Sequence, residues 1–393
     1  MHKFKRLADL EVKGKRVLVR VDFNVPLDDK LNVTSDARIV ASLPTIRAIL
    51  QRGGMPILMS HLGRPKGKVV ESMRMKPAAD RLAKVLGSPV KTCDACIGPA
   101  AEQAAKALRA GECLVLENLR FHAQEEDGDV SFAKALAKLG DAYVNDAFGT
   151  AHRPHASVFG VAKLLPAAAG LLMEKEIEAF DKVLHDPKRP FLAILGGAKV
   201  SDKLPVILNL LQRVDGLIIG GAMAYTFLKQ RGLGIGKSRC ELELLDEVRK
   251  IKNLAAEKNV KLLLPVDHVC APEFQAQAPA STHGPGIPDG LMGLDIGPKS
   301  IDLFVASIKQ AHTIVWNGPM GVFEMDKFRQ GTAAVAKAVA AADAWTVVGG
   351  GDSVAAVEML GVAGEIDHVS TGGGASLELL EGRELPGVAA LTA

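Results

Sequence analysis

Aromatic residues are scarce in this 393-residue sequence, at 4% of the total. Nucleic-acid binding normally leaves basic runs interleaved with exposed aromatics, and without them that partner class is not expected. No run of eighteen uncharged apolar residues occurs and no basic-then-apolar leader opens the chain, so a cytoplasmic protein with no membrane partner is expected. Cysteine is sparse as well. Of the five, only Cys93 and Cys96 lie close together, with no second pair or histidine cluster nearby, so reduced, mostly buried thiols are expected rather than a zinc site. Two phosphate motifs are also missing. The nearest approach to a P-loop, "RGLGIGKS" (231–238), has Arg231 in place of the first glycine and follows a helical pattern. No G-x-G-x-x-G occurs anywhere, which disfavours a dehydrogenase.

The length suits two domains, each with its own core. Short runs rich in Val, Ile and Leu alternate with helix-period segments, the pattern of strand–helix–strand units around buried parallel sheets. The fold class expected is therefore α/β: two doubly wound, Rossmann-like lobes joined by a helix, with a cleft between them. In the first lobe (1–170) strands are expected at Arg16–Val25, Pro56–Ser60, Cys113–Glu117 and Ala142–Asp146. A helix over Asp36–Gln51 should be kinked or divided by Pro44. In the second lobe (188–374) strands are expected at Phe191–Leu195, Gly216–Ile219, Lys261–Pro265, Thr313–Trp316 and Trp345–Val348. Between the lobes, Leu172, Ile177, Phe180 and Leu184 recur at helical spacing, so 171–187 reads as a connecting helix. The tail after residue 374 offers a further helix that could pack on either lobe.

The net charge of +3 conceals an asymmetry. Residues 1–170 carry 26 Lys and Arg against 18 Asp and Glu, a net of +8, whereas residues 171–393 carry 22 against 27, a net of −5. A small anionic ligand suits the first half. Arg64, Arg120 and Arg153 fall at or beyond strand ends, where parallel sheets bind ligands. Arg38 and His61 could join them, because planar guanidinium groups match phosphate and carboxylate oxygens. Taken singly, each could be an ordinary surface or loop residue. Asp22 and Asn24 in "DFNVP" could orient a hydroxylated ligand or merely satisfy a turn.

The second half repeats one arrangement three times: strand, glycines, then helix, in "FLAILGGAKVSDKLP", "WTVVGGGDSVAAVEML" and "DHVSTGGGASLELL". Glycines let a backbone approach a ligand and the next helix presents its positive end, so phosphate is the natural guest. Lys199 and Lys203, four apart, would share one helix face toward a polyphosphate, or form a solvated face with Asp202. Asp352 could share a magnesium ion with a nucleotide or cap its helix.

Across these segments the chain resembles phosphoglycerate kinase over essentially its whole length. The motifs are "RVDFNVPL" (20–27), "SHLGRPKG" (60–67), "LENLRFH" (116–122), "NDAFGTAHRPHAS" (145–157), "ILGGAKVSDK" (194–203), "GGAMAYTFLK" (220–229), "VWNGPMGVFE" (315–324), "GGGDS" (349–353) and "STGGGA" (370–375). The resemblance implies reversible transfer of the acyl phosphate of 1,3-bisphosphoglycerate to Mg-ADP, giving 3-phosphoglycerate and ATP, in glycolysis and gluconeogenesis. It implies that Asp22, Phe23, Asn24, Arg38, His61, Leu62, Gly63, Arg64, Arg120 and Arg153 hold the phosphoglycerate. It implies that Lys203, Gly220, Gly221, Leu294, Asn317, Glu324, Gly350, Gly351, Asp352 and Ser353 hold the nucleotide, with Asp352 on Mg2+. Arg38, Lys199 and the amides around Gly373 would stabilise the phosphoryl group in transfer. A monomer whose C-terminal segment (375–393) returns to the first lobe is also implied. Ser353 stands where the family often has Thr, keeping the hydroxyl, and Cys93 and Asp94 lie in a segment that is more acidic in the family.

The absent general base agrees with that chemistry. The carboxylate of 3-phosphoglycerate is already ionised at neutral pH, so the site need only neutralise charge and align the reactants. Bringing two anions together with water excluded calls for hinge closure, with the hinge expected at 169–187 and at Ser370–Gly374. The alternatives are a kinase for another carboxylate or sugar acid and a non-catalytic nucleotide-binding protein.

Overall fold

The computed structural model describes residues 4–392. Packing divides the chain into two units, Met1–Glu178 with Glu384–Ala393, and Ala179–Arg383.

In the first unit β1 (Arg16–Arg20), β2 (Met55–Met59), β3 (Val90–Thr92), β4 (Cys113–Val115), β5 (Ala142–Asn145) and β6 (Ala167–Ala169) form a parallel sheet in the order β3-β4-β2-β1-β5-β6. The central strands are buried nearly throughout, as continuous apolar runs require of a sheet covered on both faces. Their carboxyl ends diverge between β1 and β5, the switch point where such sheets bind ligands. The sequence pattern misses β3 and β6. The first is a three-residue strand with two exposed positions, and the second is three alanines with no β-branched signal. It also runs β1 too far, because beyond Arg20 the chain turns out of the sheet and the Val25 amide bonds to the Phe23 carbonyl at 2.8 Å. Pro44 does not divide its helix, which runs unbroken over Ala37–Gln51. Ile39, Leu43, Ile46 and Ile49 bury along one face and hold the helix together across the missing donor.

In the second unit β7 (Phe191–Leu195), β8 (Gly216–Ile219), β9 (Lys261–Leu263), β13 (Thr313–Asn317), β14 (Trp345–Val348) and β15 (His368–Val369) form a parallel sheet in the order β15-β14-β13-β7-β8-β9. Its switch point falls between β7 and β13. A small antiparallel sheet of β10 (His268–Ala271), β11 (Ser281–His283) and β12 (Met292–Ile296) had no counterpart in the sequence pattern. Its strands are short and its pairing is broken by a bulge between Val269 and Cys270.

The helix Leu171–His185 crosses the division between the units. Helix Gly374–Leu380 groups with the second unit, where Asn209 Nδ2 donates to the Leu380 carbonyl at 2.8 Å. The chain then rejoins the first unit, with the Gly387 amide on the Ala151 carbonyl at 2.8 Å and the Lys5 amide on that of Leu391 at 3.0 Å. No helix is long and apolar enough to cross a membrane among the described residues.

Candidate active site

At the carboxyl edge of the first sheet, the loops after β1, β2, β4 and β5 are tied into one surface. Asn24 Oδ1 accepts from the Gly63 amide at 2.8 Å, and the Gly63 carbonyl accepts from Arg120 Nη1 at 2.9 Å. Gly63 sits at φ +64°, a left-handed turn that favours glycine. Asn118 locks the same loops by donating to the Leu62 and Met73 carbonyls at 2.7 and 2.8 Å. Arg38, in the first turn of its helix, donates to Asp22 Oδ2 at 2.5 Å.

Positive charge converges here on His61. Burial, and then the charges of Arg20, Arg120, Arg153 and Arg38, hold its imidazole well below the usual titration range. Burial, and then the charges of Arg20, Arg120, Arg153 and His152, take His155 down to about 3. Arg120 is nearly buried, and its Nη2 has no hydrogen-bond partner, a donor left waiting for an acceptor. Arg64 is exposed, and Arg153 is half-buried with Nε on His152 Nε2 at 3.1 Å. Phe23 and Leu62 do not offer side chains to a ligand. Both belong to the apolar core, and the Phe23 amide is spent on Ser60 Oγ at 2.8 Å.

In the second unit the glycine turns pack directly on one another at the switch point. The Gly196 amide donates to the Asn317 carbonyl at 3.0 Å, and a Cβ on Gly196 would run into the Gly318 and Pro319 carbonyl oxygens. Gly221, at φ +66°, sits where a Cβ would lie 2.6 Å from the Gly197 backbone. Trp316 Nε1 donates to the Gly318 carbonyl at 2.7 Å and holds the third turn in place.

Beside these turns lies a cavity of about 440 Å³, of the size that takes a small-molecule ligand. Of the predicted nucleotide residues, Gly221, Leu294, Glu324 and Asp352 line it. Lys203 reaches Asn317 Oδ1, whose Nδ2 donates to the Gly349 carbonyl at 2.9 Å, so both sit behind the glycine turns. Burial lowers the Lys203 ammonium below its ordinary value, against the pull of Asp202, Asp352 and Glu381. Gly350, at φ +91°, caps the helix Gly351–Met359, and Gly373, at φ +49°, caps Gly374–Leu380. Gly220 closes on β7, its amide on the Leu195 carbonyl at 2.8 Å.

Three details differ from the sequence pattern. Lys199 and Lys203 do not share a helix face, because the helix begins at Leu204 and both precede it. Asp352 is no N-cap but the second helical residue, exposed on the cavity wall. Ser353 turns inward, fully buried, with Oγ accepting the Gly318 amide at 2.5 Å. The sequence pattern also missed Glu241, which accepts from the Val200 amide at 2.6 Å and Ser201 Oγ at 2.5 Å and so clamps the Lys199 turn. It missed Tyr225 and the segment Lys237–Arg239, which line the cavity although that stretch fails as a P-loop. Phe274, exposed on the rim, is a second aromatic residue at this cavity.

The family model described as phosphoglycerate kinase matches residues 7–383. The chain belongs to the phosphoglycerate kinase family. The phosphoglycerate kinase of Moorella thermoacetica is 59% identical over 387 residues, 98% of each chain, and that of Chlorobium limicola is 53% identical over 392 residues, 98% of this chain and 99% of the relative. Among solved structures, phosphoglycerate kinase from Coxiella burnetii superposes with a TM-score of 0.91 at 41% identity, covering 99% of both chains. The Pyrococcus horikoshii enzyme gives 0.84 at 36% identity over 98% of both. As a member of the phosphoglycerate kinase family the chain is a phosphotransferase of α/β fold, built on two parallel six-stranded sheets.

Proposed function

We propose that this chain catalyses reversible phosphoryl transfer between ATP and 3-phosphoglycerate, with 1,3-bisphosphoglycerate and ADP as products. The observation that carries the substrate side is the buried, unpartnered Arg120 Nη2 among the arginines that surround His61. A phosphate oxygen supplies the missing acceptor. Arg38, Arg64, Arg120, Arg153 and His61 bind the phosphoglycerate, with Asp22 and Asn24 orienting its hydroxyl and holding the loops. The nucleotide takes the cavity edged by Gly221, Leu294 and Glu324, with its phosphates toward Lys203 and the turns at Gly350 and Gly373.

The carboxylate oxygen of 3-phosphoglycerate attacks the γ-phosphorus, the bond to the β–γ bridging oxygen breaks, and ADP leaves as the anion. No proton need move, so the site needs no base. Lys199 and Arg38 stabilise the charge that spreads over the equatorial oxygens. Among the described residues no three His, Cys, Asp or Glu side chains cluster as a metal cage. Asp352 fits as a single protein carboxylate for a magnesium ion shared with the nucleotide phosphates, whose charge the ion would neutralise. We place the protein in the cytoplasm as a monomer, with its hinge in the Leu171–His185 helix and at residues 370–374.

A coupled assay of ATP consumption with 3-phosphoglycerate and magnesium tests the reading. Turnover is expected, and Arg38→Ala should lower it by about 100-fold or more. Absence of turnover by the unaltered protein would refute the assignment. An unaffected Arg38→Ala variant would point to a different carboxylate substrate.

A further inference from the structure

A buried polar chain stands behind the His61 loop and takes no part in the steps above. Arg20, the last residue of β1, is only 1% exposed and so is out of reach of a ligand. Each of its three guanidinium nitrogens has a partner. Nε donates to Ser157 Oγ at 2.8 Å, Nη1 to the Val21 carbonyl, and Nη2 to His61 Nδ1 at 3.2 Å. Ser157 passes the connection on, its hydroxyl donating to Glu125 Oε1 at 2.5 Å and its amide to Oε2 at 2.9 Å. Glu125, wholly buried, supplies the opposite charge that a buried guanidinium requires.

A guanidinium can only donate, so the nitrogen it faces must carry a lone pair. His61 Nδ1 is therefore unprotonated, and the ring's single proton lies on Nε2. That Nε2 has no hydrogen-bond partner among the described residues. We propose that Arg20 is a positioning residue, locking His61 as the neutral Nε2–H tautomer so that the ring offers a fixed, uncharged donor to the phosphate of 3-phosphoglycerate. The proposal rests on placing that phosphate at the basic face of the first unit. The charges facing the ring, from Arg20, Arg120, Arg153 and Arg38, all oppose a second proton. The guanidinium groups then supply charge, and the imidazole supplies direction.

Two-bond proton–nitrogen correlation spectra of the 15N-labelled protein read the tautomer without any variant. A pyridine-like Nδ1 and a pyrrole-like Nε2 that persist from about pH 5 to about pH 8 are expected. A protonated Nδ1, or an imidazolium anywhere in that range, would overturn the lock. Arg20→Met removes the donor, and Arg20→Met combined with Glu125→Gln removes both buried charges in case the single variant folds poorly. In either, His61 should titrate closer to its ordinary value of about 6.5, and KM for 3-phosphoglycerate should rise about tenfold while kcat changes much less. An unchanged tautomer and KM in the double variant would refute the role of Arg20. A correct tautomer whose Nε2 signal ignores added 3-phosphoglycerate would instead sink the substrate placement, and the positioning role with it.

Discussion

Lys199 and Lys203 stand four residues apart in the sequence, yet each meets a different environment. Lys203 is half-buried against Asn317 behind the glycine turns, whereas Lys199 stands in the turn that Glu241 clamps. Lys203→Met should therefore raise KM for the nucleotide about tenfold with a smaller loss of turnover. Lys199→Met should leave nucleotide affinity nearly intact and lower kcat by about 100-fold or more. Steady-state kinetics with both substrates varied separates the two, and equal, small effects would refute the division of labour. The lysines themselves were legible in the sequence, and so was the reason they cannot share a helix face. Pro205 is tolerated only in a first helical turn, so the helix has to start after Lys199. The Arg20, Ser157 and Glu125 chain was not legible. Nothing near Arg20 in sequence marks it for burial, because Ser157, which accepts from its Nε, and Glu125 behind Ser157 lie far along the chain.

Elements are joined at two places where a small change should be felt. Asp146, just past β5, caps the helix Leu171–His185 from a distance, its Oδ1 accepting from the Leu172 and Met173 amides at 3.0 and 3.3 Å. Burial pushes its carboxyl up from 3.8 to about 7. A raised carboxyl binds its proton more tightly folded than unfolded, so its contribution is full below about pH 4 and is lost as pH rises toward about pH 7. Asp146→Asn, which cannot ionise, should abolish this part of the pH dependence. Denaturant unfolding across that window should show the variant gaining on the natural protein by up to a few kcal/mol as pH rises, and parallel curves would refute the assignment. At the other junction, Gly196→Ala puts a methyl group against two backbone carbonyls that cannot give way. A loss of about 2 kcal/mol or more in stability is expected, with nucleotide binding impaired beyond it. Calorimetry with and without ADP measures both, and a well-folded variant with normal affinity would contradict the packing argument. The long strands at these junctions were readable from their apolar runs. The antiparallel strands β10 to β12 were not, because none is both long and alternating, and they pair through a bulge.

For the whole molecule, the charge division of +8 and −5 agrees with the position proposed for the anionic substrate. Sequence pattern also anticipated two α/β units and a helix that crosses between them, since each unit has its own set of apolar strands. The proposed reading assigns the two substrates to different units, and closure of the hinge when both are bound is the outcome it predicts. Small-angle scattering should show the radius of gyration falling when 3-phosphoglycerate and a non-hydrolysable Mg-nucleotide are added together, and less with either alone. No compaction with both would remove the hinge from the mechanism.

The chain's return to the first unit bears on the order of assembly during synthesis. Residues 384–391 leave the ribosome only after all of 179–383 has been made, yet they supply partners to Lys5, Asn145 and Ala151. The second unit can therefore complete its fold as an uninterrupted stretch of nascent chain, while the first stays unsealed until residues 384–391 have followed it. Of the two units, the one whose synthesis starts earlier is thus the later to be completed.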